Sequence, residues 1–269
     1  MPYLQVSENT RLFYQSFGKG EPVVFTNAGL LTHKQWDEHV AQLSNRFHTI
    51  TYDWLGTGRS DRPNVSYTTQ LAVDALCTLL ERCASSPATL VGHGIGCHVS
   101  VLATLQRPEL VKRLVLCNGA PWYHGERDGS GGFSKEFQAF WFERMSFKTV
   151  PAAEAISDLA ETYLYHRPPS PAVGAAVLAQ ALEWPMHVFK SYTADMAELD
   201  LSPRLKDLRC ETLVMHGRHD RKQRYAGGQY FAKHTPGARL VTFEESAHMI
   251  MYEEMGRFTE ELARFLEGR

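Results

Sequence analysis

The sequence predicts an α/β protein, a mostly parallel eight-stranded sheet with helices packed on both faces, and three observations predict it. Short β-branched runs alternate with amphipathic helical stretches over most of the 269 residues. One run, Thr89–Gly92, passes directly into a helix through a cluster of glycines. The alternation is interrupted once, by a strand-free stretch between residues 122 and 203.

Strands are expected at Tyr3–Val6, Leu12–Phe17 and Val23–Thr26, followed by a helix at Lys34–Leu43 and a strand at His48–Asp53. A glycine-rich loop through Pro63 leads to a helix at Thr68–Cys83, in which Ala72, Leu76, Leu79 and Cys83 recur at helical spacing. After the Thr89–Gly92 strand and a helix at Gly96–Gln106, the run Leu114, Val115, Leu116 marks a strand at Arg113–Asn118. It breaks at Asn118, Gly119 and Pro121. Strand Thr212–His216, a helix near Tyr225–Lys233, strand Arg239–Phe243 and a terminal helix Met251–Leu266 complete the chain.

Between Pro121 and Pro203 only helical segments are expected, separated by DGSGG (128–132) and HRPPSP (166–171). This divides the chain into a core, 1–121 with 204–269, and a helical cap, 122–203, inserted after the sixth strand. The cap is rich in aromatics, which either form its own core or line a substrate pocket. Trp122, Phe140, Trp141 and Trp184 are the pocket candidates, together with Leu30 and His93 from the core.

Composition limits the class of function. Apolar residues make up 43% and charged residues 22%, ordinary for a globular protein. A net charge of −2 without a long basic run argues against nucleic acid or an anionic membrane as partner. No apolar stretch approaches the length of a bilayer span, and no signal peptide is visible, so a cytoplasmic location is expected. The cysteines, Cys77, Cys83, Cys97, Cys117 and Cys210, are odd in number and scattered, which favours reduced thiols, and no CxxC pair suggests zinc. A small-molecule substrate is the expected partner, without a metal or organic cofactor. The oligomeric state stays open, a homodimer being compatible with the sequence.

Five segments carry chemistry. Gly92-His93-Gly94-Ile95-Gly96 joins a strand to a helix. Asn27-Ala28-Gly29-Leu30 follows the third strand, with Trp36 beyond it, and Asp53-Trp54-Leu55-Gly56-Thr57-Gly58-Arg59-Ser60 follows the fourth. His216-Gly217-Arg218-His219-Asp220 places a carboxylate at a strand's carboxyl end, where α/β sheets gather ligands. Glu244-Glu245-Ser246-Ala247-His248 lies between the last strand and the last helix. Glycine-rich turns also cradle dinucleotides, but that site would sit on the first strand with an acid about 20 residues on, and neither condition holds.

In this order the five segments resemble the α/β-hydrolase fold family across essentially the whole chain. The first resembles its nucleophile elbow, Gly-x-Ser-x-Gly, except that Gly94 stands where the family holds Ser, Cys or Asp. The resemblance implies that Asp220 orients His248, the general base, and that the backbone N–H groups of Gly29 and Ile95 form an oxyanion hole. It makes the 53–60 loop structural. His93 is expected to serve structure rather than catalysis, and Cys97, one step past the elbow, to be a buried thiol rather than a replacement nucleophile.

Three functions are compatible with this pattern. The first is a hydrolase of a carboxylic ester or lactone with an apolar, ring-containing substrate, Gly94 replacing an active serine through engineering or decay. The second is an acid–base enzyme without a nucleophile, a lyase, cyclase or cofactor-independent oxygenase using the His248–Asp220 dyad. The third is a binding protein without catalysis. Gly94 itself counts against any covalent intermediate formed at the elbow.

Overall fold

A computed structural model describes residues 2–123 and 132–269. All but the last glycine of the DGSGG segment lies outside the described residues. The described residues form one sheet of eight strands in the order β1-β2-β4-β3-β5-β6-β7-β8. These are β1 (Tyr3–Ser7), β2 (Thr10–Phe17), β3 (Pro22–Thr26), β4 (His48–Tyr52), β5 (Ala88–His93), β6 (Val111–Cys117), β7 (Glu211–Gly217) and β8 (Arg239–Phe243). Strands β1, β2 and β4 pair antiparallel and the remaining ladders are parallel, so the carboxyl ends of β3, β5, β6, β7 and β8 share one edge. Every residue of β3 and β5 is buried, as expected of central strands covered by helices on both faces.

The core helices are α1 (Asp37–Leu43), α2 (Thr69–Cys83) and α3 (Gly96–Gln106). Thr68 caps α2 by accepting the Leu71 N–H at 3.2 Å. Between β6 and β7 come α4 (Lys135–Arg144), α5 (Ala152–Leu159), α6 (Pro171–Leu182) and α7 (Met186–Ala197), and after them α8 (Tyr225–His234), α9 (Ile250–Glu253) and α10 (Met255–Leu266). No helix among the described residues is long and apolar enough to cross a membrane.

The structure corrects two expected helices. The segment from Lys34 begins as a 3₁₀ turn, His33–Trp36, before α1. The terminal helix is broken at Glu254, which leaves helical geometry at φ −124°, ψ 52°. Side-chain hydrogen bonds outweigh helix continuity there: the Glu254 carboxylate accepts from Ser246 Oγ at 2.7 Å, and that of Glu253 accepts the Ala247 N–H at 2.8 Å. The two glutamates thereby clamp the loop that carries His248.

The 122–203 segment contributes helices and no sheet strand among the described residues, only an isolated bridge between Trp122 and Asp200. Hydrogen bonds tie it to the core. Trp184 Nε1 donates to Leu31 O at 2.8 Å, Tyr192 Oη donates to Leu55 O at 3.1 Å, and the Asp195 carboxylate accepts both the N–H and the hydroxyl of Thr69.

The strand-to-helix turn between β5 and α3 explains two of its glycines directly. A Cβ at Gly92 would lie 2.7 Å from the carbonyl oxygen of Gly96, and a Cβ at Gly96 would lie 2.6 Å from that of Thr26. Both obstacles are backbone and cannot rotate away. Gly92→Ala is therefore expected to destabilise the fold by about 1–3 kcal/mol, the cost of overpacking a close-packed region. Urea unfolding checks this, and an unchanged midpoint would contradict so close an approach.

Candidate active site

Three segments meet at the carboxyl edge of the sheet. The β5–α3 turn brings Gly94, the loop after β7 brings Asp220, and the loop after β8 brings His248. His248 Nδ1 and Asp220 Oδ2 are 2.8 Å apart, with both side chains buried. The carboxylate is held by more than the imidazole. Asn118 Nδ2 donates to Oδ2 at 2.7 Å, while the backbone N–H groups of Lys222 and Gln223 donate to Oδ1 at 2.9 and 2.8 Å. A carboxylate that only accepts leaves Nδ1 as the protonated nitrogen, so Nε2 keeps its lone pair. Burial pushes Asp220 up to about 6, against the pull of nearby cations and donors. Burial, with the positive charge of Lys222, pushes His248 well below the ordinary imidazole value. The imidazole is thus kept neutral, the form a general base needs.

His93 is buried beside this pair, its ring 4.7 Å from that of His248. Gln35 Nε2 donates to His93 Nδ1 at 2.8 Å, and His93 Nε2 donates to the carbonyl of His248 at 2.9 Å. Both ring nitrogens are therefore engaged, and His93 holds the backbone carbonyl of His248. Gln35 also accepts the Ala28 N–H through Oε1, so one side chain joins the loop after β3 to the histidine pair.

Gly94 has φ +56°, a left-handed conformation that strains any residue with a Cβ. A Cβ built there would lie 3.4 Å from His248 Nε2 and 3.3 Å from the Ala28 Cβ. Position 94 therefore lies beside the unprotonated nitrogen of His248. Gly29 and Ile95 both line a cavity beside this position, and among the described residues the N–H of neither meets an acceptor. Leu30, beside them, is held at φ +66°. Cys97 is fully buried, and its thiol donates to Gly92 O and Cys117 O. Burial raises it, which leaves it unsuited to act as a nucleophile. In the 53–60 loop, Asp53 accepts the N–H groups of His33 and Arg59, and Ser60 Oγ donates to Asp53 O. Those bonds tie the loop together.

The cavity has two small lobes that share Gly29, Leu30, Leu159 and Lys222. One, about 30 Å³, is lined by Ile95, Trp141 and Phe189; the other, about 20 Å³, reaches His93 and His248. Of the pocket candidates, Leu30, His93 and Trp141 are brought to it. Trp122, Phe140 and Trp184 are placed elsewhere. Trp122 lies edge-on to Tyr230, Phe140 packs on Phe137 and Tyr163, and Trp184 joins cap to core among Trp54 and Tyr192. The lining is largely apolar.

Lys222 and Asn118 were not foreseen as site residues. Lys222 Nζ lies 3.3 Å from His248 Nε2. Asn118, at φ +47°, gives one amide hydrogen to Asp220 and another to Ala247 O. Its place as a polar residue at a strand's carboxyl end was the available signal.

The sheet order, the turn at Gly94 and the Asp220–His248 pair define the class. The family model of the alpha/beta hydrolase fold matches residues 21–255, and the chain belongs to that family. It is 24% identical over 266 residues to the AB hydrolase superfamily protein YisY of Bacillus subtilis, covering 98% of each chain. Among solved structures it is similar to an esterase from Exiguobacterium antarcticum, at TM-score 0.86 and 20% identity over 98% of both chains. It is also similar to the enol-lactonase from Burkholderia xenovorans, at TM-score 0.86 and 22% identity over 99% of this chain and 100% of the other.

Because Gly94 sits in the left-handed region, Gly94→Ala is expected to lower stability by about 1–2 kcal/mol. Thermal unfolding of the two proteins checks this, and a stabilised alanine variant would contradict the turn geometry.

Proposed function

We propose that the chain is an enzyme that acts at the carbonyl of a carboxylic ester or lactone with an apolar, ring-containing body, enclosed beneath the 122–203 cap. One observation carries the reading. The imidazole of His248, oriented by Asp220, lines one lobe of the cavity, Ile95 lines the other, and Gly29 lines both. That combination suits a carbonyl whose oxygen gains charge while an attacking group loses a proton. The esterase and enol-lactonase among the similar structures support the substrate class.

In this reading the substrate oxygen accepts from Gly29 and Ile95 while His248 Nε2 takes the attacker's proton. With glycine at position 94 the elbow supplies no hydroxyl, so water is the attacking group and no acyl-enzyme forms there. Replacing the glycine supplies the missing atom at a position that already faces Nε2. A second reading, acid–base chemistry without attack by the elbow, is favoured by the Lys222 amine on Nε2, which gives the proton a second site within the chain.

The test is Gly94→Ser assayed on 4-nitrophenyl esters of graded chain length and on a panel of lactones. Its kcat/KM is expected to exceed that of the glycine protein by about 10³-fold or more, since removing a nucleophile from an intact triad typically costs at least that much. Adding His248→Ala should abolish the gain. A folded serine variant that hydrolyses no member of the panel faster than its parent would overturn the proposal.

A further inference from the structure

The geometry points to Lys222 as an amine nucleophile that captures the carbonyl carbon of a small apolar aldehyde or ketone as an imine, in the cavity faced by the Gly29 and Ile95 amides. This goes beyond the ester reading. It uses the same cavity but a different nucleophile and a different carbonyl class, and it requires no ester turnover.

The first support is position. Every other lysine of the chain is exposed, whereas Lys222 is buried. Its backbone N–H is fixed on Asp220 Oδ1 and its side chain lines both lobes of the cavity. Because Nδ1 of His248 carries the proton given to Asp220, Nε2 is an acceptor and Lys222 Nζ, at 3.3 Å, is the donor. A chain of hydrogen bonds thus runs from carboxylate to imidazole to amine. The amine is thus the hydrogen-bond partner of the nitrogen that a Cβ at Gly94 would also approach, at 3.4 Å.

The second support is cost. Among the described residues no carboxylate lies within ion-pair distance of Nζ, and an unpaired buried ammonium is expensive. Burial accordingly pushes the lysine down to about 8, against the attraction of Asp220, so a useful share of the amine is uncharged at mildly alkaline pH. Gly94 removes only the elbow as a source of nucleophile, and Lys222 reaches the cavity from another loop.

The step balances with groups of this chain alone. The lone pair of the uncharged amine forms the N–C bond while the carbonyl π pair moves to oxygen beside Gly29 and Ile95, and His248 Nε2 takes a proton from the nitrogen of the adduct. The oxygen then takes up that proton from the imidazolium and the second one from the nitrogen and leaves as water as the C=N bond forms. The sum is amine plus carbonyl giving imine plus water, with nothing oxidised or reduced. The same attack on an ester would expel the alcohol and leave a stable amide, which is why the amine suits aldehydes and ketones.

The test treats the unmodified protein with propanal and sodium cyanoborohydride, which reduces an imine to a stable alkylamine, and locates the added propyl group by peptide mass mapping. Lys222 is expected to be labelled ahead of all the surface lysines, at a rate that rises from about pH 6 to about pH 9 with its midpoint near the depressed value of this group rather than near that of a free lysine. The Lys222→Met protein, which removes a buried charge and so keeps its fold, should lose the fast label. Labelling confined to surface lysines, with Lys222 unmodified in the unmutated protein, would overturn the proposal. That result would leave ester hydrolysis by Gly94→Ser untouched, so the two readings fail separately.

Discussion

Asp220 is an ionisable group whose side chain meets no solvent, and the arrangement of the site follows from how its two oxygens are occupied. Oδ1 takes two backbone N–H groups of its own loop, and Oδ2 takes Asn118 from the end of β6 and His248 from the loop after β8. A buried carboxylate with an empty acceptor would cost several kcal/mol, so these donors are not interchangeable with solvent. They fix the imidazole in one tautomer, aimed at position 94. The rest of the site reinforces the aim. Glu253 and Glu254 clamp the His248 loop by its backbone and by Ser246, and His93 holds the His248 carbonyl from below. The cap contributes as well, since the His248 N–H donates to Leu164 O at 3.0 Å.

Gly94 separates two requirements that the elbow usually joins. The turn demands a left-handed residue between two positions that tolerate no side chain, and glycine meets that demand without strain. Chemistry at a carbonyl demands an attacking atom beside the base, and glycine has none. The Asp220–His248 pair and the amides of Gly29 and Ile95 stand around a position that carries no side chain. Lys222, bonded to His248 Nε2, brings a nucleophilic nitrogen to the same cavity, which is what the imine proposal rests on.

Much of this was legible in the sequence. Eight β-branched runs marked the sheet, and local motifs named Gly29, Ile95, Asp220 and His248 as candidates, because each stands at a fixed offset from the end of a strand. Residues whose role depends on meeting a distant segment were not legible. Lys222 reads as one more basic residue in Arg221-Lys222, and only the fold shows that its side chain turns inward to His248. Gln35 bridges Ala28 and His93 across 58 residues of chain, a contact with no periodicity to betray it. Trp184 and Trp141 look alike in sequence, yet one joins cap to core through Leu31 and the other lines the cavity. The break at Glu254 was hidden for a similar reason, since the hydrogen bond that its carboxylate accepts comes from Ser246 in the preceding loop.

The geometry around Asp220 requires His248 to be a neutral imidazole, protonated at Nδ1 toward Asp220, with Nε2 left as an acceptor. Nitrogen-15 NMR of histidine-labelled protein, with His248→Ala to assign the signal, reads that protonation state. This imidazole is expected to stay neutral well below the pH at which a free histidine titrates, with its proton on Nδ1 and a strongly hydrogen-bonded N–H resonance. An imidazole that titrates near its ordinary value, or one that carries its proton on Nε2, would contradict it.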